Sequence, residues 1–405
     1  MLILNRHPDH GAALDTADAE ALGDAGASAA AGYFTARADY RPTPLWGLPA
    51  LAGALGVGAV QIKDEGQRLG LGSFKALGGA YALARLALEQ AERTLGGPLG
   101  EDALQRPEVR EIAGQMTFAC ATAGNHGRSV AWGAREIGAR AVIFVPGGVA
   151  EARVAAMARF GAEMIRTESP YDDAVALAAE IAEARGWVLV SDTGWPGYER
   201  IPGLVMQGYG LIAQEALEAL DAPPTHLFVQ AGIGGLAASL AARLALTLGP
   251  QRPKVVVVEP EHAACLFESA RAGRLIRLPP GEPTTMAMLA CQQPSLNAWR
   301  VLSRLADAFM TVSDADAAAA VRRLANPAPA DRALVAGDSG AAGLAGLMRV
   351  AGDAEARACI GLDANSRVLL VNSETANDAA RFRDLVGRDP AEVAPAAVEA
   401  EGAEA

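Results

Sequence analysis

"HLFVQAGIGGLAASLAARLAL", residues 226–246, decides the fold class. Its first six residues are a short apolar run of the kind that forms a buried strand, and its end repeats alanine and leucine at helical spacing. Gly232, Gly234 and Gly235 stand between the two. A strand that passes through a tight glycine turn into a helix is the building unit of a parallel sheet covered by helices. Such a turn can aim several backbone N–H groups at an anion, with the helix dipole behind them. The spacing is not G-x-G-x-x-G, which argues against a dinucleotide and suits a single phosphate. Close packing alone would also account for the glycines.

Working outward, "MTFACA" (116–121), "AVIFV" (141–145), "WVLV" (187–190), "VVVV" (255–258) and "VLLV" (368–371) read as further buried strands. Stretches such as "AEARVAAMARF" and "YDDAVALAAEIAEARG" read as the helices between them. The expected architecture is α/β, with two open, mostly parallel sheets covered by helices. In such sheets ligands bind beyond the carboxyl ends of the strands, so the residues that follow each strand are the informative ones. The stretch 92–115 contains Gly, Pro and charged residues and reads as a surface excursion. The tail from about Asp389 is acidic, Ala/Pro-rich and free of aromatics, and is expected to be largely disordered.

Composition narrows the function. The chain has 405 residues, a formal charge of −12 and 51% hydrophobic residues. An acidic protein repels phosphate backbones, so nucleic acid and anionic membranes are not expected partners. No apolar run reaches the length of a membrane span, and the N-terminus lacks the pattern of a signal peptide, so a cytoplasmic protein is expected. Cys120, Cys265, Cys291 and Cys359 form no close pair, and no metal site is expected.

Three more segments carry candidate chemistry. In "LGLGSFKALGGAYALAR" (69–85), Lys75 sits where glycines give way to an apolar helix. A first-turn lysine can snorkel to water; alternatively it stands in a dry pocket, where burial lowers its pKa and allows an imine with an aldehyde. "TAGNHGRSVAW" follows the 116–121 strand and puts Asn125 in a glycine turn, either as a turn residue or as a displayed amide. His126 beside it reads as a structural histidine. "NSETAND" follows the 368–371 strand and offers Ser373, as a helix cap or as a partner for a ring nitrogen. "AGDSGAAGL" (336–344) contains the G-D-S-G string of some serine proteases, but those are all-β, and Ser339 reads as a turn residue near a pocket.

Together, and in this order, "RPTPLWGLPALAGALGVGAVQIKDEGQRLGLGSFKALGGA", "TAGNHG", "GIGGL", "VVVVEP" and "NSETAND" resemble the fold-type II pyridoxal-phosphate enzymes, the tryptophan-synthase-β and threonine-dehydratase group. The resemblance covers roughly residues 40 to 385. "NHGRSVAW", "YDDAV" and above all "SDTGWPGYERIPGLVMQGY" are similar to the diaminopropionate ammonia-lyase branch of that family.

The resemblance implies a smaller domain inserted in a larger one. Residues 1–75 and 191–388 would form the cofactor-binding domain, 76–190 the small domain with the Asn125 loop, and 389–405 a tail. It implies pyridoxal 5'-phosphate as cofactor, joined covalently to Lys75. Asn125 would hydrogen-bond the phenolate oxygen, Gly232, Ile233, Gly234 and Gly235 would hold the phosphate, and Ser373 would face the pyridine nitrogen. Asp192, in "SDTGW", would hold and protonate a β-ammonium leaving group, although a turn cap is the plainer role for it.

The implied reaction is β-elimination from an L-amino acid, L-2,3-diaminopropionate or a close β-substituted analogue, to pyruvate or another 2-oxo acid and ammonia. A dehydratase of serine, threonine or 3-hydroxyaspartate is the alternative, and an NAD-dependent oxidoreductase a distant one. A homodimer is implied, because relatives commonly dimerise. The family branch carries an aspartate just before G-N-H that is thought to serve a D-substrate. Here the position is Ala123, so activity is expected on L-amino acids only. Asp338 stands where the branch usually has glutamate, which retracts a carboxylate by about 1.5 Å.

Overall fold

The computed structural model describes residues 1–122, 124–168 and 171–394. Eleven strands among them form two sheets: β1 Leu2–Leu4, β2 Leu45–Gly47, β3 Ala59–Asp64, β4 Thr117–Ala121, β5 Arg140–Val145, β6 Glu163–Arg166, β7 Val188–Leu189, β8 His226–Gln230, β9 Lys254–Pro260, β10 Ala308–Val312 and β11 Arg367–Asn372. The larger sheet runs β1-β10-β9-β8-β11-β3-β2 and the smaller β6-β5-β4-β7. All pairs are parallel except β1 with β10 and β2 with β3, the two edges of the larger sheet. The strands of the smaller sheet fall between β3 and β8 along the chain.

Side chains alternate between the two faces of a strand, and here both faces are buried. Leu227, Val229, Val255, Val257, Leu369 and Val371 pack into one core. Their neighbours Phe228, Val256, Val258, Val368 and Leu370 pack into another on the opposite face. That is why β8, β9 and β11 read as continuous apolar runs rather than as alternating ones.

The helix Lys75–Leu95 joins the two halves. Gly78 lies so close to Tyr209 that a Cβ there would stand 2.4 Å from its ring, and a Cβ on Gly208 would stand 2.3 Å from the Leu77 carbonyl oxygen. Only glycine lets the helices Lys75–Leu95 and Arg200–Ala219 approach this closely. The stretch read as a surface excursion packs inward instead. Glu101–Gln105 and Pro107–Gly114 are helical, and Ala103, Leu104, Val109 and Ala113 join the main core. The two short helices meet at Pro107, so the stretch carries no single apolar period that the sequence could show. The expected tail begins with a short helix, Pro390–Val393, held by Asp389 and Glu392 as a capping box; residues 395–405 lie outside the described ones.

A balanced charge cluster supports the loop that leads to Lys75. Arg68 is bidentate to Glu65 at 2.8 Å, and its Nη1 and Nη2 donate to the two oxygens of Glu215 at 2.7 Å. Lys63 Nζ donates to Glu215 Oε2 at 2.5 Å. Tyr40 and Thr43 hydroxyls donate to Glu215 and Glu65. All four charged side chains are buried. Removing one partner from such a cluster strands a charge in the interior, which costs far more than the intact cluster gains. Beyond it, Leu69, Gly70 and Gly72 take positive φ, a tight path that brings the chain round into the helix.

Candidate active site

Residues at the ends of four strands, β4, β7, β8 and β11, meet at one cavity of about 270 Å³. Lys75, Asn125, Asp192, Gly232, Ile233, Gly234, Gly235 and Ser373, the eight residues singled out in the sequence, all line it. Lys75 is the first residue of its helix. Its approach is stitched to the end of β11: Phe74 N–H donates to the Ser373 carbonyl, and Thr375 N–H to that of Gly72, each at 3.0 Å. Lys75 Nζ lies 2.5 Å from Asp192 Oδ2 and faces the rings of Phe74 and Tyr209 at 5.3 and 5.8 Å.

The expectation that burial lowers the Lys75 pKa is reversed. Burial does pull the ammonium down, but the attraction of Asp192 outweighs it and the group is held above the usual lysine range. For Asp192, burial favours the neutral acid, yet the Lys75 ammonium holds it ionised, below the usual carboxylate range. The sequence placed both residues but not their contact, because they lie 117 positions apart.

His126 was read as structural and is partly so: its Nε2 donates to the Val190 carbonyl at 2.8 Å. Its Nδ1 lies 3.9 Å from Asp192 Oδ2 and has no hydrogen-bond partner. With Nε2 carrying the proton, Nδ1 presents a lone pair beside the carboxylate. Burial lowers its pKa and keeps the ring neutral.

The glycine turn is a built cradle. Gly234 adopts φ +96°, and a Cβ on Gly232 would come 2.9 Å from Cys291 Sγ. Ser295 N–H donates to the Ile233 carbonyl at 3.0 Å and fixes the turn. Behind it the helix Gly235–Leu248 begins, and the first N–H groups of a helix have no partner within it. Ser373 Oγ accepts from Gln230 Nε2 at 2.7 Å, so its own proton is free to be donated. Gln230 Oε1 has no partner. Asn125 Nδ2 donates to Glu374 Oε2 at 2.6 Å. Gln230, Glu374, Met288 and Cys291 also line the cavity; the first two fall inside quoted strings without being singled out, and the other two lie in none. Ser339 lies at its edge, as its reading as a pocket-side turn residue expected, and donates nothing nucleophilic: no histidine stands among the lining residues near it except His126, which belongs to Asp192. Asp338 is engaged with Arg381 and Thr285, in a neighbouring small cavity. Ala123 lies outside the described residues.

These residues fit pyridoxal 5'-phosphate on chemical grounds. A phosphate needs N–H donors at a helix start, an aldehyde needs an amine, and a ring nitrogen with a lone pair needs a hydroxyl that can donate. The cradle, Lys75 and Ser373 supply the three around one cavity.

The chain belongs to the pyridoxal-phosphate dependent enzyme family, whose model matches residues 36–374. It is 38% identical over 365 residues to the diaminopropionate ammonia-lyase of Escherichia coli (strain K12), covering 88% of this chain and 90% of that one. The crystal structure of the E. coli enzyme in complex with an aminoacrylate-PLP azomethine reaction intermediate matches with a TM-score of 0.85 at 36% identity, over 95% of this chain and 96% of that one. The biosynthetic L-threonine dehydratase of E. coli (strain K12) is 33% identical over 229 residues, 56% of this chain and 42% of its own. Fold class and cofactor therefore stand as the sequence implied, and the oxidoreductase alternative falls.

Proposed function

We propose that this chain catalyses β-elimination from L-2,3-diaminopropionate or a close β-substituted L-amino acid, releasing ammonia and pyruvate or another 2-oxo acid. The observation that carries the reading is the Lys75–Asp192 contact of 2.5 Å inside a cavity fitted for the cofactor. Similarity to the ammonia-lyases supports the choice of substrate.

When bound, pyridoxal phosphate draws electrons from the substrate α-carbon and so acidifies its C–H bond. Lys75 would hold the cofactor through its ε-amine. The backbone of Gly232, Ile233, Gly234 and Gly235 would hold the phosphate, Asn125 the phenolate oxygen and Ser373 the ring nitrogen. Once displaced by the substrate amine, Lys75 is the base in position to take the α-proton. Asp192, ionised and one hydrogen bond from Lys75, attracts a protonated β-amine and keeps the leaving group cationic until its bond to carbon breaks. A neutral His126 beside Asp192 leaves that carboxylate free to hold the amine rather than a second cation.

The reading includes a homodimer, as relatives of this family commonly are, and a cytoplasmic location, supported by the four free thiols among the described residues. Among the described residues no helix is long and apolar enough to cross a membrane.

Stoichiometry tests the reaction. Diaminopropionate and one water yield pyruvate and two ammonia molecules, whereas serine yields pyruvate and one. Purified holoprotein should release two ammonia molecules per pyruvate from L-2,3-diaminopropionate and turn over the D-isomer far more slowly. Faster turnover of serine or threonine would establish the dehydratase reading, which the threonine dehydratase similarity favours. Appreciable D-isomer activity would sink the inference from Ala123.

A further inference from the structure

The carboxylate of Glu374 has no role in the account above, yet it occupies the seam of the site. It is only 5% exposed and lines both the main cavity and the small one beside it. Its Oε2 accepts from Asn125 Nδ2 at 2.6 Å and from Asn377 Nδ2 at 2.5 Å, and it also hydrogen-bonds Ser339. Asn125 opens the helix that follows β4 of the smaller sheet, and Glu374 lies just past β11 of the larger one, 249 positions away. This hydrogen bond is therefore a direct tie between the two sheets across the cavity.

An amide side chain offers two N–H donors on one end and an acceptor oxygen on the other, and its orientation follows its partners. A carboxylate oxygen accepts and does not donate, so Glu374 draws the Nδ2 end of Asn125 toward itself. One N–H is consumed there. The second N–H remains, on an amide that can no longer turn over. An uncharged apolar residue at position 374 would leave Asn125 free to present either end to the cavity.

We infer that Glu374 is a positioning residue that orients Asn125 so that its remaining N–H faces the cofactor. The assignment rests on the cofactor reading of the cavity and on the place of Asn125 in it. Burial raises the Glu374 pKa against the pull of its hydrogen bonds from Asn125 and Ser339; in its ionised form it places a negative charge beside the amide, on the side where the phenolate oxygen would lie.

The test separates this role from mere support of the loop at Gly337–Ser339. Wild type, E374A, E374Q, N125A and the double variant N125A/E374A are stripped of cofactor and titrated with pyridoxal 5'-phosphate. Affinity and the position of the visible absorbance band are recorded, with circular dichroism as a check of folding. E374A should bind the cofactor about tenfold more weakly, the cost of a lost anchor to a buried amide. The double variant should bind no more weakly than N125A alone, because the two residues act as one unit. E374Q, which keeps an acceptor oxygen and loses the charge, should recover most of the affinity while its band moves. Wild-type affinity in E374A, or losses that multiply in the double variant, would overturn the assignment. If E374A fails to fold, an unmoved band in E374Q overturns it equally. A wild-type protein that develops no visible band would remove the cofactor reading itself, and this inference with it.

Discussion

Two clusters of buried charge lie at opposite ends of one short segment. Lys63, Glu65, Arg68 and Glu215 set two cations against two carboxylates, every donor and acceptor is engaged, and hydroxyls of Tyr40 and Thr43 complete the set. Seven residues after Arg68, Lys75 meets Asp192, and the surroundings are left incomplete: His126 Nδ1 and Gln230 Oε1 have no partners. The first cluster is saturated and therefore rigid. The second leaves two polar atoms at the cavity without protein partners. Buried polar groups without hydrogen bonds are costly, and the two that line the cavity are available to a bound ligand.

Substitutions in either cluster should give opposite kinds of damage, to chemistry or to stability. Lys75→Ala should have the largest effect, lowering elimination by roughly 10⁴-fold or more, since base and cofactor anchor go together. Pyruvate release and borohydride trapping of the cofactor on the protein would check it, and a variant that retained trapped cofactor would refute the assignment. Glu215→Ala strikes the saturated cluster instead. Buried Lys63 loses its carboxylate partner while Arg68 keeps Glu65, and stability should fall by about 3–5 kcal/mol in urea unfolding. A loss below about 1 kcal/mol would mean that water reaches the cluster.

Asp192→Asn should leave folding nearly intact and reduce kcat by about 10²-fold or more. Because Asp192 is what raises Lys75 against burial, the ammonium should lose its proton at lower pH in the variant. NMR titration of the cofactor-free protein would show the shift, and an unchanged lysine would contradict the pairing.

The smallest effect is expected at Glu259, a buried carboxyl bonded by the Leu266 and Phe267 N–H groups and by no cation. Burial pushes its pKa up to about 8, against the pull of those two N–H groups. The native protein thus holds a proton between about pH 4.3 and 8 that the unfolded chain has released, and stability falls as pH rises through that window. Glu259→Gln, which never ionises, should gain on wild type by about 1–3 kcal/mol between pH 5.5 and 8. Parallel pH profiles of the two melting curves would disprove it.

The central strands were legible because both faces of the larger sheet are buried, which makes β8, β9 and β11 unbroken apolar runs. The edges were not: β1 and β2 have three residues each, too few to show a pattern. Within the site, Lys75, Asn125, Ser373 and the glycine turn were readable, since each sits in a distinctive local string. Asp192 was readable only through family resemblance. Glu374, Gln230 and the exposed side of His126 were not readable at all, because their meaning lies in contacts between segments 64 to 249 residues apart.

The stitching of Phe74 to Ser373 has a consequence for how the protein is made. β11 lies in the middle of its sheet between β8 and β3, yet it is the last of the eleven described strands along the chain. Until about residue 375 leaves the ribosome, β3 and β8 have a gap between them and the approach to Lys75 lacks its stitch to Ser373 and Thr375. Vitamin capture is therefore a late event in the life of the nascent chain, and a polypeptide released before that point exposes two unpaired strand edges that invite aggregation.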